Sequence, residues 1–135
     1  MEDDRIPAHP DVRTIPLQQV LEALVDPVRR SIVTKLCEAA EDIRCGGFDL
    51  PVSNSTATHH FRILREAGLI RQYYVGTSRM NALRRDEIDE VFPGLVDAIV
   101  TADRTSPRPV QQPARGPAGR APAPAGGIGA GGLLG

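Results

Sequence analysis

The chain has 135 residues and a formal net charge of −1 at pH 7, so we expect one small domain, and the overall charge does not point to nucleic acid. A run of about eighteen apolar residues, which a membrane-spanning helix needs, is missing from the sequence. The acidic start of the sequence lacks the apolar segment of a secretory signal. Two cysteines without a pairing pattern are typical of a reducing cytosol. These features predict a cytoplasmic protein that has no contact with membranes.

Both ends of the chain are predicted to lack fixed structure. Residues 1–16 carry three prolines among charged residues, which indicates a flexible N-terminal arm in which His9 is solvated. Residues 104–135 consist mainly of Pro, Ala, Gly and Arg, a composition that cannot form a core and predicts a disordered tail. The arginines of this tail could add nonspecific affinity for phosphate, or the tail could be inert. The folded domain is therefore expected to span residues 17–103.

Two helices are predicted at the start of this domain. Residues 17–24 place apolar side chains at the spacing of one helix face. The face consists of Leu17, Val20, Leu21 and Leu24. Asp26 followed by Pro27 is typical of a helix start, because Asp caps free N–H groups and Pro fits the first turn. The second helix is predicted to extend to about Ala40.

The next segment, 45–51, does not favour a helix. It contains two glycines and a proline, which prevent a regular helix of about eight residues. We expect a short strand near 43–45 and a single turn around 48–50. Phe48 and Leu50 are then predicted to fill part of the core.

A third helix is predicted over residues 54–67. It begins among hydroxyl and amide side chains and ends at Ala67-Gly68, a common helix stop. On a helical wheel one arc faces a core and comprises Ala57, His60, Phe61, Leu64 and Ala67. The opposite arc comprises Ser55, Thr58, His59, Arg62 and Glu66, with Arg65 at its edge. This outer face suits base edges and phosphates of a DNA major groove. For one helix alone, an ordinary solvated face is the more frequent explanation.

Residues 69–83 change that balance. Two short β-prone segments joined by four residues that include Gly76 predict a hairpin, which we place at 70–83. A helix with a polar outer face followed at once by a basic hairpin is the arrangement of winged-helix DNA-binding domains. The predicted fold class is therefore mainly α with a small β-hairpin wing.

Two motifs make the chain resemble the ArsR-type (ArsR/SmtB) winged helix-turn-helix repressors. Residues 24–29 (L-V-D-P-V-R) match the family's L-x-D-P-x-R, and residues 53–69 match its S-x-x-T-x-S-H-H-L-x-x-L-x-x-A-G-L. Thr58 stands for the usual Ser, and Phe61 for the usual Leu. The resemblance covers roughly residues 17–103, but the family normally has a helix where this chain has 45–51. It implies a homodimeric, sequence-specific repressor that binds double-stranded DNA at an inverted-repeat operator.

The candidate DNA-binding residues lie on the third helix and the wing. They are Asn54, Ser55, Thr56, Thr58, His59, Arg62, Arg71 and Arg79. Charge is segregated around them, since six arginines and one acid fall between residues 54 and 85, whereas six acids and no base fall between 86 and 103. Such segregation favours a basic DNA-facing surface. Because the resembled family also has an arginine in the first turn of its second helix, we interpret Arg29 or Arg30 as a packing or phosphate contact, with a plain surface charge as the alternative.

We expect a dimer because the final helix has more apolar surface than one small domain can cover. A short acidic helix is predicted at 86–92 and a final helix at 95–102, which is apolar on more than one side and needs a partner surface. The resembled family dimerises through its first and last helices. The candidate interface residues are Leu17, Val20, Leu21, Leu95, Val96 and Ile99.

Metal and cofactor binding are not expected. The metal-sensing members of the resembled family use cysteine pairs or Asp/His sets that this chain lacks, and three or four converging ligands are required. Cys37 and Cys45 could form a redox switch, although a buried small residue and a loop thiol are favoured. His60 is predicted to be a core histidine bonded to the backbone.

The sequence contains neither a Gly-rich phosphate loop nor a set of residues arranged around a nucleophile, so we do not expect an enzyme. Two hypotheses on function therefore compete with DNA binding: a module for protein contact and a thiol-responsive regulator. The resemblance leaves the effector unknown.

Overall fold

The computed structural model describes residues 5–107, which fold into five α-helices and a three-stranded antiparallel sheet. The elements are α1 (Leu17–Leu24), α2 (Pro27–Ala39), β1 (Ile43–Arg44), α3 (Asn54–Glu66), β2 (Ile70–Val75), β3 (Ser78–Leu83), α4 (Arg85–Val91) and α5 (Leu95–Thr105). The strand order is β1-β3-β2. This architecture confirms the predicted fold class, in which helices carry a hairpin wing.

The helix starts form where the sequence predicts them. The Asp26 carboxylate accepts hydrogen bonds from the backbone N–H groups of Val28 and Arg29 at 2.8 and 3.3 Å, and Pro27 occupies the first turn of α2. The Ser53 hydroxyl accepts one from Thr56 N–H at 3.2 Å. These contacts satisfy N–H groups that have no partner within the helix.

The wing is a tight hairpin. Strands β2 and β3 pair without interruption from Ile70 opposite Leu83 to Val75 opposite Ser78. The turn therefore contains two residues, Gly76 and Thr77, rather than the four predicted from the sequence. Gly76 has a φ of +62°, a left-handed conformation that glycine adopts without a steric penalty.

The segment before α3 is not a regular helix, as predicted, but its turn lies earlier than expected. Strand β1 ends at Arg44, and a single 3-10 turn spans Cys45–Gly47 instead of 48–50. A side chain at Gly47 would meet the Ile43 Cγ2 atom at 2.9 Å, so the turn forms where the missing side chain permits it. Phe48 is buried and packs on Phe61 with 5.4 Å between ring centroids.

Residues 5–16 are not the flexible arm predicted from the sequence. Ile6, Val12 and Ile15 are buried, and Val12–Thr14 form a 3-10 turn. His9 is not solvated, because its Nε2 atom accepts a hydrogen bond from the Gln72 backbone N–H at 2.9 Å. Three apolar residues spaced along a proline-containing segment stabilise it against the domain even though they form no helical pattern. The segment runs beside β2, which is an edge strand, and covers part of its free edge.

Two of the predicted dimer residues belong to the core instead. Val20 is 0% exposed and Val96 is 2% exposed within a single chain, so neither can contact a second copy. Leu17 and Leu21 are exposed, and Leu95 and Ile99 are partly buried. The helical-wheel pattern placed all of these residues on apolar faces. It could not show which of them the rest of the same chain covers and which it leaves exposed.

The C-terminal end of the described structure extends α5. Arg104 and Thr105 belong to this helix, so the first residues of the predicted tail are helical. The predicted tail from residue 108 onward, like residues 1–4 of the predicted arm, lies outside the described residues. Within residues 5–107, every helix is too short or too polar to cross a membrane.

Gly68 provides a test of the packing of the N-terminal segment. It has a φ of +77°, and an added Cβ would lie 3.3 Å from the Val12 Cγ2 atom. Gly76 is also left-handed but has no atom within 4 Å of such a Cβ. Each Gly→Ala change should cost about 1–2 kcal/mol of unfolding free energy from backbone strain. We expect Gly68→Ala to cost more than Gly76→Ala in urea denaturation, because Val12 must also move. Equal losses would contradict the packing of Val12 against this junction.

Candidate nucleic-acid interface

The outer face of α3 is exposed along the first three turns. Its six candidate residues on this helix all lie in solvent: Asn54, Ser55, Thr56, Thr58, His59 and Arg62. The Thr58 hydroxyl donates to the Asn54 carbonyl at 2.9 Å, and the Arg62 guanidinium donates to His59 Nδ1 at 3.1 Å. The face is therefore polar, and some of its side chains hydrogen-bond to the backbone or to one another.

The two candidate arginines of the wing lie on opposite faces of the hairpin. Side chains alternate along a strand, and residues directly opposite each other share a face. Arg79 lies opposite Tyr74, on the face that also carries Gln72, and its guanidinium lies 5.8 Å from the Tyr74 ring centroid. Arg71 lies on the other face, 5.3 Å from the Tyr73 ring centroid. Arg79 lines a cavity together with Arg62 of α3.

Arg5 is a basic residue at the tip of the wing that sequence reasoning missed. Its guanidinium donates to the Gly76 carbonyl at 3.2 Å and stacks 3.8 Å from the Tyr74 ring centroid. Its own sequence neighbours, two acids and a proline-containing segment, gave no signal for this position. The neighbouring Ile6 is buried, and its burial holds this part of the chain beside the wing.

A buried polar network joins α3 to the wing. Arg65 was predicted at the edge of the exposed arc but is 5% exposed, and its guanidinium donates to Gln72 Oε1 at 2.8 Å. The Gln72 amide donates to Asn81 Oδ1 at 2.8 Å, and the Asn81 amide donates to the Ile43 carbonyl at 3.1 Å. Such a network fixes the relative orientation of the elements that carry it. No pattern along the chain indicates this network, because polar residues in a wing ordinarily face solvent.

The charge on Arg65 is not balanced by a carboxylate. Burial lowers the pKa of Arg65 from its usual range, the positive charge of Arg79 lowers it further, and Glu66 opposes both. Within residues 5–107, no ion pair with a carboxylate involves Arg62, Arg65, Arg71 or Arg79. In contrast, Arg30, Arg84, Arg85 and Arg104 form ion pairs with Asp103, Glu87, Asp97 and Glu38. Arg84 and Arg85 are thus neutralised and do not contribute to the basic surface, although the arginine count included them. The remaining basic surface is concentrated at α3 and the wing.

The inner side of α3 is held by α2. His60 is buried as predicted, but its Nδ1 atom receives a hydrogen bond from the Arg29 guanidinium at 3.0 Å rather than contacting the backbone. Arg29 also donates to the Ala23 carbonyl at 2.6 Å. Arg30 donates to the Leu24 carbonyl at 3.0 Å and pairs with Asp103. Both arginines are thus packing contacts, and neither is a plain surface charge.

The two cysteines lie in different environments. The Arg85 guanidinium lies 3.2 Å from Cys37 Sγ, whereas the Asn81 amide lies 3.3 Å from Cys45 Sγ. Both thiols are free and half-buried. A redox role stays a hypothesis. Among residues 5–107, no group of three or more His, Cys, Asp or Glu side chains could hold a metal ion.

The helix-plus-wing geometry defines a winged helix-turn-helix protein, and comparison with known proteins identifies its family. The model of the bacterial regulatory proteins of the arsR family matches residues 26–72. An uncharacterized HTH-type transcriptional regulator, YceK of Bacillus subtilis (strain 168), is 30% identical over 83 residues, which cover 60% of this chain and 83% of that protein.

A solved structure agrees with this assignment. The ArsR-like transcriptional regulator from Rhodococcus sp. RHA1 has a TM-score of 0.50 and 27% identity, with 65% of this chain and 83% of that chain covered. The chain belongs to the arsR family of DNA-binding transcriptional regulators, as the sequence motifs predicted.

The buried imidazole of His60 predicts a pH-dependent stability. Burial lowers the pKa of His60 below its ordinary value of 6.5, Asp26 opposes this, and Arg29 and His59 add to it. As the pH falls through about 6.5, the unfolded chain therefore takes up a proton before the folded chain does, and the unfolding free energy decreases. We expect His60→Gln to flatten this decrease in denaturation curves recorded between about pH 7 and pH 5.

The matched control for this experiment is His59→Gln, because His59 is the exposed neighbour. It should keep the wild-type slope of unfolding free energy against pH. A His60→Gln slope equal to that of the wild type would contradict a neutral, buried imidazole.

Proposed function

We propose that the protein is a repressor that binds an inverted-repeat operator as a homodimer, with α3 in the major groove and the wing on the DNA backbone. The observation that carries the proposal is the group of arginines on α3 and the wing that no carboxylate of residues 5–107 neutralises. An exposed cation that is not paired with a carboxylate suits a polyanion, because binding releases the counterions of the DNA phosphates. The repressor role rests on the resemblance of the sequence motifs to ArsR-type repressors. The proposal includes a cytoplasmic location for the protein, because bacterial DNA lies in the cytoplasm.

Thr58, His59 and Arg62 are proposed to contact base edges. They are exposed on the second and third turns of α3. An arginine can donate two parallel hydrogen bonds to guanine O6 and N7. Asn54, Ser55 and Thr56 lie at the helix start, where hydroxyl and amide groups commonly bind phosphates and fix the position of a helix on DNA.

Arg71 and Arg79 are proposed to bind backbone phosphates. Because they lie on opposite faces of the wing, they would contact phosphates on different sides of it. Arg79 lies on the face nearer α3, so its phosphate would be close to the groove that Arg62 enters. Arg5 lies at the same end of the hairpin as Arg79, against Gly76 and the Tyr74 ring.

The dimer is proposed to form through an apolar groove between α1 and α5. The apolar part of its lining consists of Leu21, Leu24 and Val25 on the α1 side and Ile99 and Ala102 on the α5 side. Arg30, Asp103 and Ser106 complete the lining. Val25 is 70% exposed, and a large exposed apolar patch on a small domain is typical of an interaction site. Leu17 and Leu95 remain candidates, whereas Val20 and Val96 are excluded by their burial. A two-fold dimer would present two α3 helices to successive major grooves.

Leu21→Asp tests the dimer. A charge in the groove should give a monomer in sedimentation experiments at tens of micromolar, where a modest interface still associates. The fold should persist, because Leu21 is exposed, and circular dichroism checks this. Val75→Asp is the control, since Val75 is an exposed apolar residue of the wing and its replacement should leave the dimer intact. A wild-type monomer at this concentration would contradict the proposal.

Arg62→Ala and Arg79→Ala test the DNA contacts. On an operator selected from random DNA, Arg62→Ala should cost about 1–3 kcal/mol and relax the preference at particular base pairs. Arg79→Ala should weaken binding to all sequences alike and reduce the salt dependence by about one unit of slope. Both effects can be measured by fluorescence anisotropy over a range of salt concentrations.

Arg13→Ala is the matched control for these two variants. It removes the same charge, but Arg13 is exposed and pairs with Asp11 away from α3. Its DNA affinity should stay close to that of the wild type. If Arg62→Ala and Arg79→Ala also leave affinity intact, α3 does not read DNA, and a role in protein contact would be favoured.

A further inference from the structure

A cavity of about 240 Å³ lies between α3 and the wing. Its lining includes three arginines, Arg62, Arg65 and Arg79, together with Thr58, Gln72 and Cys45. Neither Asp nor Glu is among the lining residues. The cavity is thus a pocket of positive charge beside the polar face of α3.

Hydrogen-bond donors exceed acceptors in this pocket. A guanidinium has five N–H donors, yet Arg65 makes one hydrogen bond to a described residue, to Gln72 Oε1. The Nε atom of Arg79 is buried and has no hydrogen-bond partner within the described part of the chain. Among residues 5–107, the Arg62 guanidinium hydrogen-bonds to His59 and to no other residue. A buried donor without an acceptor costs free energy, and a buried cation without a counter-charge costs more.

We propose that this pocket is an oxyanion site that takes inorganic phosphate or a phosphate ester from solution when DNA is absent. A tetrahedral oxyanion offers several acceptor oxygens to the fork-shaped donors of arginine, and such charge-assisted hydrogen bonds are among the strongest in proteins. It also offsets part of the three positive charges. A metal cation would be repelled by the same charges, and an uncharged ligand would leave them unbalanced.

The phosphodiester of DNA has the same chemistry as a free phosphate. Thr58 and Arg62 line the pocket and also belong to the proposed DNA-reading face, so a backbone phosphate could occupy the site in the complex. This second source of the ligand rests on the proposed function, whereas binding of a free anion does not.

The test is a titration of the free, full-length protein with inorganic phosphate in chloride buffer at constant ionic strength. Saturable shifts of the arginine Nε–Hε resonances in NMR spectra should report binding by the wild type. Arg79→Gln should bind phosphate about tenfold more weakly, as the loss of a charge-assisted hydrogen bond implies. Phosphate should also raise the melting temperature of the wild type more than that of Arg79→Gln, because a ligand of the folded state stabilises the protein that binds it.

Arg79→Gln should fold, since the Nε atom it removes makes no hydrogen bond to residues 5–107, and its melting temperature without phosphate checks this. Arg13→Gln, which loses the same charge outside the pocket, should bind phosphate as the wild type does. The proposal is overturned if the wild type shows no saturable binding, or if Arg79→Gln binds phosphate as tightly as the wild type.

A DNA-binding assay separates the two sources of the ligand. Operator affinity is compared in phosphate and in chloride at equal ionic strength, for the wild type and for Arg79→Gln. A phosphate-specific loss of affinity that disappears in Arg79→Gln shows that a DNA phosphodiester uses the same site. Equal affinity in both salts assigns the site to the free anion. A protein that binds phosphate but no DNA would refute the proposed function and keep the oxyanion site.

Discussion

The buried guanidinium of Arg65 determines how the wing is oriented on α3. It reaches Gln72 of β2, and Gln72 in turn reaches Asn81 of β3, so one chain of hydrogen bonds passes from the helix into both strands of the hairpin. If one of these bonds is lost, two buried polar groups lose their partners, and the cost of each exceeds the net gain from an ordinary hydrogen bond. The network therefore disfavours other wing angles, and it keeps the exposed arginines of the two elements in a constant geometry.

The other side of α3 is positioned without the helix that normally precedes it in the family. A 3-10 turn and the ring of Phe48 occupy that place, and Phe48 packs on Phe61 of α3. Arg29 adds a polar contact to His60 from α2. Aromatic packing and one hydrogen bond thus replace the ridge-and-groove contacts that a regular helix would supply.

Local signals account for the features that could be predicted from the sequence. Asp26 and Ser53 cap helices through atoms two or three residues away, and Gly76 permits its turn through its own backbone, so short patterns suffice. Arg65 was misplaced because its burial depends on Gln72 and Asn81, which belong to another element. The N-terminal segment was missed for the same reason, since its apolar residues contact the domain without any repeat along the chain. For the candidate site, exposure of the α3 face could be predicted, whereas the arginines left without carboxylates became visible only once the ion pairs were known.

Arg29 and Arg30 of α2 connect the helices proposed to form the dimer with the helix proposed to read DNA. Arg29 and Arg30 bind carbonyls at the end of α1, and they connect it to His60 of α3 and Asp103 of α5. The groove proposed to join two copies and the helix proposed to read DNA are therefore braced by the same pair of side chains. In the proposed dimer, the distance between the two α3 helices would then be set by these contacts within each domain and not by a flexible hinge. One base pair inserted between half-sites rotates them by about 34–36° relative to each other, and the DNA, by twisting or bending, would have to absorb that rotation.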